Sequence, residues 1–255
     1  MAKSIERYFM NLHNEFLNCF YNGGFKFSNN TLSIDSIKNK LEQNQICLKH
    51  NADNFFLTQN GFITYFINDI TSFDMQGTYI KLIRKTPICE LENMFLSINK
   101  FSIFDKYIGM SLKNSGFSFQ SLGEVQKALL DDMGEIYDFF INYFDKKYLF
   151  ISKTELKNRI QEGQVLIIKQ DKKTVGALVY FLNLNSAHLD FMAVSKEFRK
   201  SGIGRKLMSC FLGLNAWHFK LFVRDTNIKA IEFYKKFGFE FNDIQILFYK
   251  RKNEI

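Results

Sequence analysis

The reading of this chain turns on His188-Leu-Asp-Phe-Met-Ala-Val-Ser-Lys-Glu-Phe-Arg-Lys-Ser-Gly-Ile-Gly-Arg-Lys-Leu-Met208. Residues 187–194 form a mostly apolar run of strand length, 195–201 form a polar loop, and a helix opens at Gly202-Ile203-Gly204 and runs to about Ala216. A helix start presents unpaired N–H groups and a partial positive charge, so a turn of this kind can hold a pyrophosphate. Glycine suits the place because a side chain would keep a phosphate from the backbone. Arg199, Lys200, Arg205 and Lys206 add cationic charge around it. Taken alone, the same residues also describe a tight packing turn with solvated lysines, so the meaning of the stretch depends on its surroundings.

Upstream, the pattern predicts a strand over 117–122 and a helix over 124–144 with Val125, Leu129, Met133, Ile136 and Phe140 on one face. A second helix over 153–161 has Ser152 as N-cap and Glu155 at capping-box spacing. Strands over 165–169 and 175–182 flank the hairpin signal Gln170-Asp171-Lys172-Lys173. Downstream come a strand over 219–223, a helix over 227–236 and two closing strands within 238–250. The order βααβββαβαββ predicts an α/β or α+β domain with a mixed sheet, because a central antiparallel hairpin is combined with βαβ crossings.

The first part of the chain reads as helices over 5–20 and 37–42, strands over 45–50, 54–58, 62–67 and 79–84, a helix over 91–100 and a strand over 102–112. This order faintly repeats the second half but lacks a glycine-rich strand-to-helix turn. Two readings stand: a degenerate repeat of the second half, or an unrelated small α+β domain. The polar cluster Lys113-Asn114-Ser115-Gly116 marks the boundary, giving domains 1–114 and 115–255.

Composition narrows the function. The chain has 255 residues, enough for one large or two modest domains, and 46% hydrophobic with 24% charged residues excludes disorder of its body. No apolar run approaches the ~20 residues of a membrane span, and residues 1–10 lack the apolar stretch of a secretory signal, so a cytoplasmic location is expected. Cys19, Cys47, Cys89 and Cys210, like His13, His50, His188 and His218, have neither disulfide-framework nor metal-ligand spacing, so no metal is expected. The net charge of +8 divides as +2 over 1–114 and +6 over 115–255, so the turn at Gly202 accounts for part of the excess.

A second element lies at Asn227-Ile-Lys-Ala-Ile-Glu-Phe-Tyr-Lys-Lys-Phe-Gly-Phe239. Together the two stretches resemble the signature of the GNAT superfamily of acyl-CoA-dependent N-acyltransferases, in which an apolar strand leads to [QR]-x-x-G-x-[GA] and N-x-x-A-x-x-F-Y-x-x-x-G-F follows. Arg199, Gly202, Gly204, Asn227, Ala230, Phe233, Tyr234, Gly238 and Phe239 fill those positions, and the resemblance covers about residues 117–250. It implies a GNAT fold with a mixed central sheet, preceded by a smaller α+β domain, and acetyl-CoA or another acyl-CoA as co-substrate. It further implies that backbone groups of Met192, Ala193 and Val194 pair with the pantetheine arm. The N–H groups of Arg199, Lys200, Ser201, Gly202, Ile203 and Gly204 then cradle the pyrophosphate, with Arg205 beside them. Asn227 contacts the pantetheine, Ala230 leaves space for it, and the strands on either side splay to admit it.

Acyl transfer to an amine sets the catalytic requirements. An alkyl amine of pKa about 10 is almost wholly protonated at pH 7, so a base is wanted. His188 and Asp190 alternate on one strand and so face the same way. His188 is the base candidate, with a strand-edge histidine or a water chain as the alternative; Asp190 is a second candidate, or an orienting group for the ammonium. Tyr234 sits where the family places the acid that protects the leaving thiolate, and hydrogen-bond donation describes that role better than full proton transfer. The reaction implied is acetyl transfer to a primary amine in a ternary complex, with a small metabolite or amino sugar favoured over a protein. A non-catalytic acyl-CoA sensor on the same fold is the alternative. The chain is 16% aromatic, but no nucleic-acid motif is present, and nothing in the sequence fixes an oligomeric state.

Overall fold

A computed structural model describes residues 2–51, 53–73, 78–85, 87–114, 123–145 and 151–252. The strand expected over 117–122 and the Ser115-Gly116 part of the boundary lie outside the described residues. In chain order the first elements are α1 (Ala2–Tyr21), β1 (Phe27–Ser28), α2 (Ile34–Glu42), β2 (Cys47–Asn51), β3 (Asn54–Gln59), β4 (Phe62–Ile67), β5 (Tyr79–Lys85), α3 (Glu90–Ile98) and β6 (Phe101–Lys113). Then follow β7 (Gln126–Lys127), α4 (Met133–Tyr143), α5 (Lys153–Gln161), β8 (Val165–Gln170), β9 (Lys173–Asn183), β10 (Ser186–Val194), α6 (Ile203–Leu212), β11 (His218–Arg224), α7 (Ile228–Lys235) and β12 (Glu240–Arg251).

The chain forms two compact units that are not consecutive halves. The first comprises Met1–Ile108, Arg224–Thr226 and Asp243–Ile255; the second comprises Gly109–Val223 and Asn227–Asn242. A single cut at residue 114 therefore does not separate them, because the chain returns to the first unit twice.

In the first unit the strand order is β2-β3-β4-β5-β12. One sheet face is covered by Leu12 and Phe16 of α1 and Ile37 and Leu41 of α2, packed on Leu48, Phe55, Leu57 and Phe66. The other face carries Phe95 and Leu96 of α3 on Phe56, Tyr65, Leu82 and Leu247. β12 pairs antiparallel with β5 from Ile244↔Lys85 to Lys250↔Tyr79. It is one continuous strand where two were expected. Asn242 and Asp243 stay extended within it, and the Asp243 carboxylate lies 3.3 Å from Lys85 Nζ.

In the second unit the order is β11-β10-β9-β8-β7, with β8, β9 and β10 antiparallel and β10 parallel to β11. The β8–β9 turn holds Asp171 and Lys172 at φ 49° and 64°, the left-handed pair that a two-residue hairpin demands. Ser152 Oγ accepts from Glu155 N (3.1 Å) and Glu155 Oε2 from Ser152 N (2.8 Å), so the capping box starts α5 as its spacing predicts. The helix expected over 124–144 is shorter, beginning at Met133. Gln126 and Lys127 pair instead with β8, and Asp132 Oδ2 accepts from Leu129 N (2.8 Å), fixing a short 3-10 turn ahead of α4.

The topology of the first unit repeats that of the second. β2, β3, β4 and β5 pair antiparallel, antiparallel and parallel, as β8, β9, β10 and β11 do. A helix follows the parallel strand in both, and its sequence aligns: Cys89-x-x-Glu92-x-x-Phe95-Leu96-x-x-x-Lys100-Phe101 against Asn227-x-x-Ala230-x-x-Phe233-Tyr234-x-x-x-Gly238-Phe239. Lys100 (φ 60°) even takes the left-handed conformation of Gly238 (φ 89°). Of the two readings of residues 1–114, the topology favours the degenerate repeat. Among the described residues no helix joins β4 to β5, where α6 joins β10 to β11.

Candidate active site

The site is built where β10 and β11 part. Their parallel ladder runs from Ser186↔His218 to Leu189↔Leu221 and ends there. On its other edge β10 stays paired with β9, with a register shift between Leu189 and Phe191. The extra residue is Asp190, so a β-bulge turns the end of β10 at the point where the ladder stops. Met192, Ala193 and Val194 remain paired with Leu178, Ala177 and Gly176 of β9, while their β11 edge lies beyond the ladder.

The bulge changes which way the side chains face. His188 is registered opposite Phe181 of β9, with ring centroids 5.4 Å apart. After the bulge the odd-numbered residues take that face: Phe191 packs on Phe140 and Phe144, and Ala193 joins the α4–α5 core. Simple alternation of His188 and Asp190 therefore fails at Asp190. The two groups still serve one face, because Asp190 Oδ2 lies 3.6 Å from Arg159 Nη2 and that guanidinium sits 4.9 Å from the ring centre of Phe181.

His188 is half-buried, and burial, with the Lys220 ammonium second, holds its pKa below the usual 6.5. It is therefore mostly neutral at pH 7, the state a base needs. Tyr234 is buried, with its ring 5.5 Å from Phe233 and 6.0 Å from Phe239. Burial pushes its phenol up to about 12, so it keeps its proton across the physiological range.

The turn before α6 has its own geometry. Lys200 (φ 69°) and Gly202 (φ 91°) are both left-handed, and Gly202 is the N-cap. Within the turn Arg199 N donates to Lys196 O (3.3 Å) and Ser201 N to Phe198 O (3.4 Å), which closes the loop ahead of the helix start. A side chain at Gly202 would meet open space, so glycine is required there by φ and the approach to the backbone is clear. At Gly204 the requirement is different: a Cβ would stand 3.2 Å from Met192 Cε and 3.6 Å from the Phe233 ring, so β10, α6 and α7 converge on this residue. Arg199, Lys200, Ser201 and Arg205 are exposed around the turn, whereas Ile203 is buried beneath it. Lys206 is drawn into an ion pair with Glu124, which removes one cation from the expected cluster.

Asn227 caps α7, its Oδ1 accepting from Ala230 N at 3.3 Å. Its carbonyl side is thus committed to the helix. Sequence reasoning missed three contributors: Gly176, which lets α6 approach the sheet; Arg159, which reaches Asp190; and Lys220, in register with His188. Gly176 stands alone in an apolar strand, a signal of close approach that was available. Arg159 and Lys220 carry no comparable signal. Among the described residues no group of His, Cys, Asp or Glu could hold a metal, and no helix is long and apolar enough to cross a membrane.

The family described as "Acetyltransferase (GNAT) domain" matches residues 161–241. Among solved structures, a putative GNAT-family acetyltransferase from Novosphingobium aromaticivorans is similar at TM-score 0.52 and 13% identity, covering 69% of this chain and 75% of that one. A GCN5-related N-acetyltransferase from Sphaerobacter thermophilus is similar at TM-score 0.55 and 10% identity, covering 69% and 61%. A GNAT-family acetyltransferase from Colwellia psychrerythraea is similar at TM-score 0.51 and 14% identity, covering 80% and 84%, a share that extends into the first unit. No curated protein matches the chain by sequence.

Proposed function

This chain carries a domain of the GNAT acetyltransferase superfamily, and we propose that it transfers an acetyl group from acetyl-CoA to a primary amine of a small metabolite, in the cytoplasm, by direct attack in a ternary complex. One observation carries the reading: the β10–β11 ladder ends at Leu189↔Leu221, beside a bulge. The cleft so opened adjoins a helix start whose backbone approach is clear.

The residues present fit an acyl-CoA. Met192, Ala193 and Val194 offer a strand edge to the pantetheine, and Ala230 keeps the side of the cleft open. The Arg199–Gly204 backbone and the exposed Arg199, Lys200 and Arg205 suit the pyrophosphate. Bound there, acyl-CoA supplies a thioester whose carbonyl carbon the amine attacks, so that a C–N bond forms, the C–S bond breaks and CoA leaves as the thiolate. His188 accepts the proton that the amine sheds as the C–N bond forms and its acidity rises. Asp190 orients the incoming amine. Tyr234 donates a hydrogen bond to the leaving sulfur. With its phenol at about 12 and a thiol near 8.5, full transfer would be uphill by about 5 kcal/mol, so the stabilisation is by the hydrogen bond.

A thiol-release assay with acetyl-CoA across a panel of amines, together with calorimetric titration of acetyl-CoA, tests this. Turnover is expected, with Gly202→Glu abolishing acetyl-CoA binding. Binding without turnover of any amine would instead mark a sensor, and binding that survives Gly202→Glu would overturn the site.

A further inference from the structure

We propose that the acceptor carries a carboxylate as well as its amine, and that Lys220 selects for it; this rests on the acyltransferase reading above. His188 is in register with Phe181 on one side and Lys220 on the other, so all three side chains leave the same sheet face. Arg159 lies over Phe181 at 4.9 Å. A row of Arg159, Phe181, His188 and Lys220 thus crosses the sheet immediately before the point where β10 and β11 part.

The charge balance of this face is uneven. Asp190 answers Arg159 at 3.6 Å, and Gln164 Oε1 accepts from Arg159 Nη1 at 2.8 Å. Lys220 is half-buried, and among the described residues no carboxylate pairs with it. A half-buried ammonium without an anion carries a desolvation cost that a ligand carboxylate relieves through a charge-assisted hydrogen bond. A polyamine is repelled by the same field, and a plain alkylamine gains nothing from it. The Lys220 ammonium also favours the neutral form of the amine, which is the form that attacks. The reaction stays balanced: the neutral amine and the acetyl thioester give the amide and the CoA thiolate, the proton that the amine sheds passes through His188 to solvent, and the carboxylate is not consumed.

The test uses the full chain, acetyl-CoA and matched acceptors: glycine with methylamine, L-alanine with ethylamine, L-phenylalanine with 2-phenylethylamine, and spermidine. The carboxylate-bearing member of each pair is expected to have at least tenfold higher kcat/KM, equivalent to about 1.4 kcal/mol. Lys220→Gln should close that gap at least tenfold through KM, and Lys220→Arg should restore it, with circular dichroism confirming the fold. Turnover of the decarboxylated amines or spermidine as well as, or better than, the amino acids overturns the inference and leaves the acyltransferase reading standing. So does an equal loss in both members of a pair on Lys220→Gln. Thiol release with no amine at all overturns both.

Discussion

Gly176 of β9 lies against Ile203, the first residue of α6: a Cβ at Gly176 would stand 2.5 Å from Ile203 Cγ2 and 3.2 Å from Leu207 Cδ1. The missing side chain is what lets the N-terminal end of α6 rest on the sheet. Gly176→Ala should therefore cost about 1–3 kcal/mol, because the β-branched Ile203 has few rotamers to retreat into. Acetyl-CoA affinity should fall with it. Adding Ile203→Ala removes the clashing methyl, so the two changes together should cost less than their sum in a double-mutant cycle followed by urea denaturation and calorimetry. Additive losses would show that the two residues do not set the position of α6.

Tyr234 keeps its proton to about pH 12 because it is buried. The rate should accordingly show no basic limb from this group between pH 8 and 10. Tyr234→Phe should lower kcat by roughly 10²-fold, the scale of one lost donor to a developing anion, with acetyl-CoA affinity preserved. A loss confined to KM would reassign Tyr234 to packing beside Phe233 and Phe239.

What the sequence made legible follows from how local each determinant is. The turn at Gly202, the cap at Ser152 and the hairpin at Asp171-Lys172 are fixed by neighbours within four residues, and all three form as the residues indicate. The bulge at Asp190 is not local, since it exists only relative to the register of β9 and β11, and alternation within β10 alone misplaced the side chains beyond it. The same holds for Arg159 and Lys220, which reach His188 and Asp190 from other elements. The repeat is only faint in the sequence for another reason: Asn227, Ala230, Tyr234 and Gly238 are replaced by Cys89, Glu92, Leu96 and Lys100, so the apolar frame survives while the signature is gone.

His188 gives a pH dependence with a definite sign. Its folded pKa lies below 6.5, through burial first and Lys220 second. Above 6.5 neither state binds the proton, and its full contribution to stability is present. As the pH falls from 6.5 toward the folded value, the unfolded chain takes up a proton that the folded chain refuses, and that contribution is lost. Denaturation midpoints measured from pH 7.5 to 5 should decline more steeply for the native chain than for His188→Gln. Lys220→Gln should raise the imidazole pKa followed by NMR and move the acid limb of kcat/KM upward with it. A limb that stays in place while the NMR titration moves would assign the base to another group.

In the first unit the position matching Ala230 is Glu92, and it is buried and fully engaged. Its Oε1 accepts from Tyr65 Oη at 2.6 Å and Arg84 Nη2 at 2.7 Å, and Oε2 accepts from Arg84 Nε at 2.9 Å. Burial, together with Glu92, raises the Tyr65 phenol well above its usual value. At the position of the small Ala230 the first unit carries a buried ion pair, so one acetyl-CoA per chain is expected by calorimetry. Glu92→Ala should cost about 3 kcal/mol or more, because the Arg84 charge is left largely buried without its partner. Arg84→Met with Glu92→Leu should recover most of that loss, since an apolar pair carries no desolvation cost. Both variants, once folded, should bind acetyl-CoA as the native chain does; a second equivalent bound by either would mean that the ion pair conceals a working cofactor site.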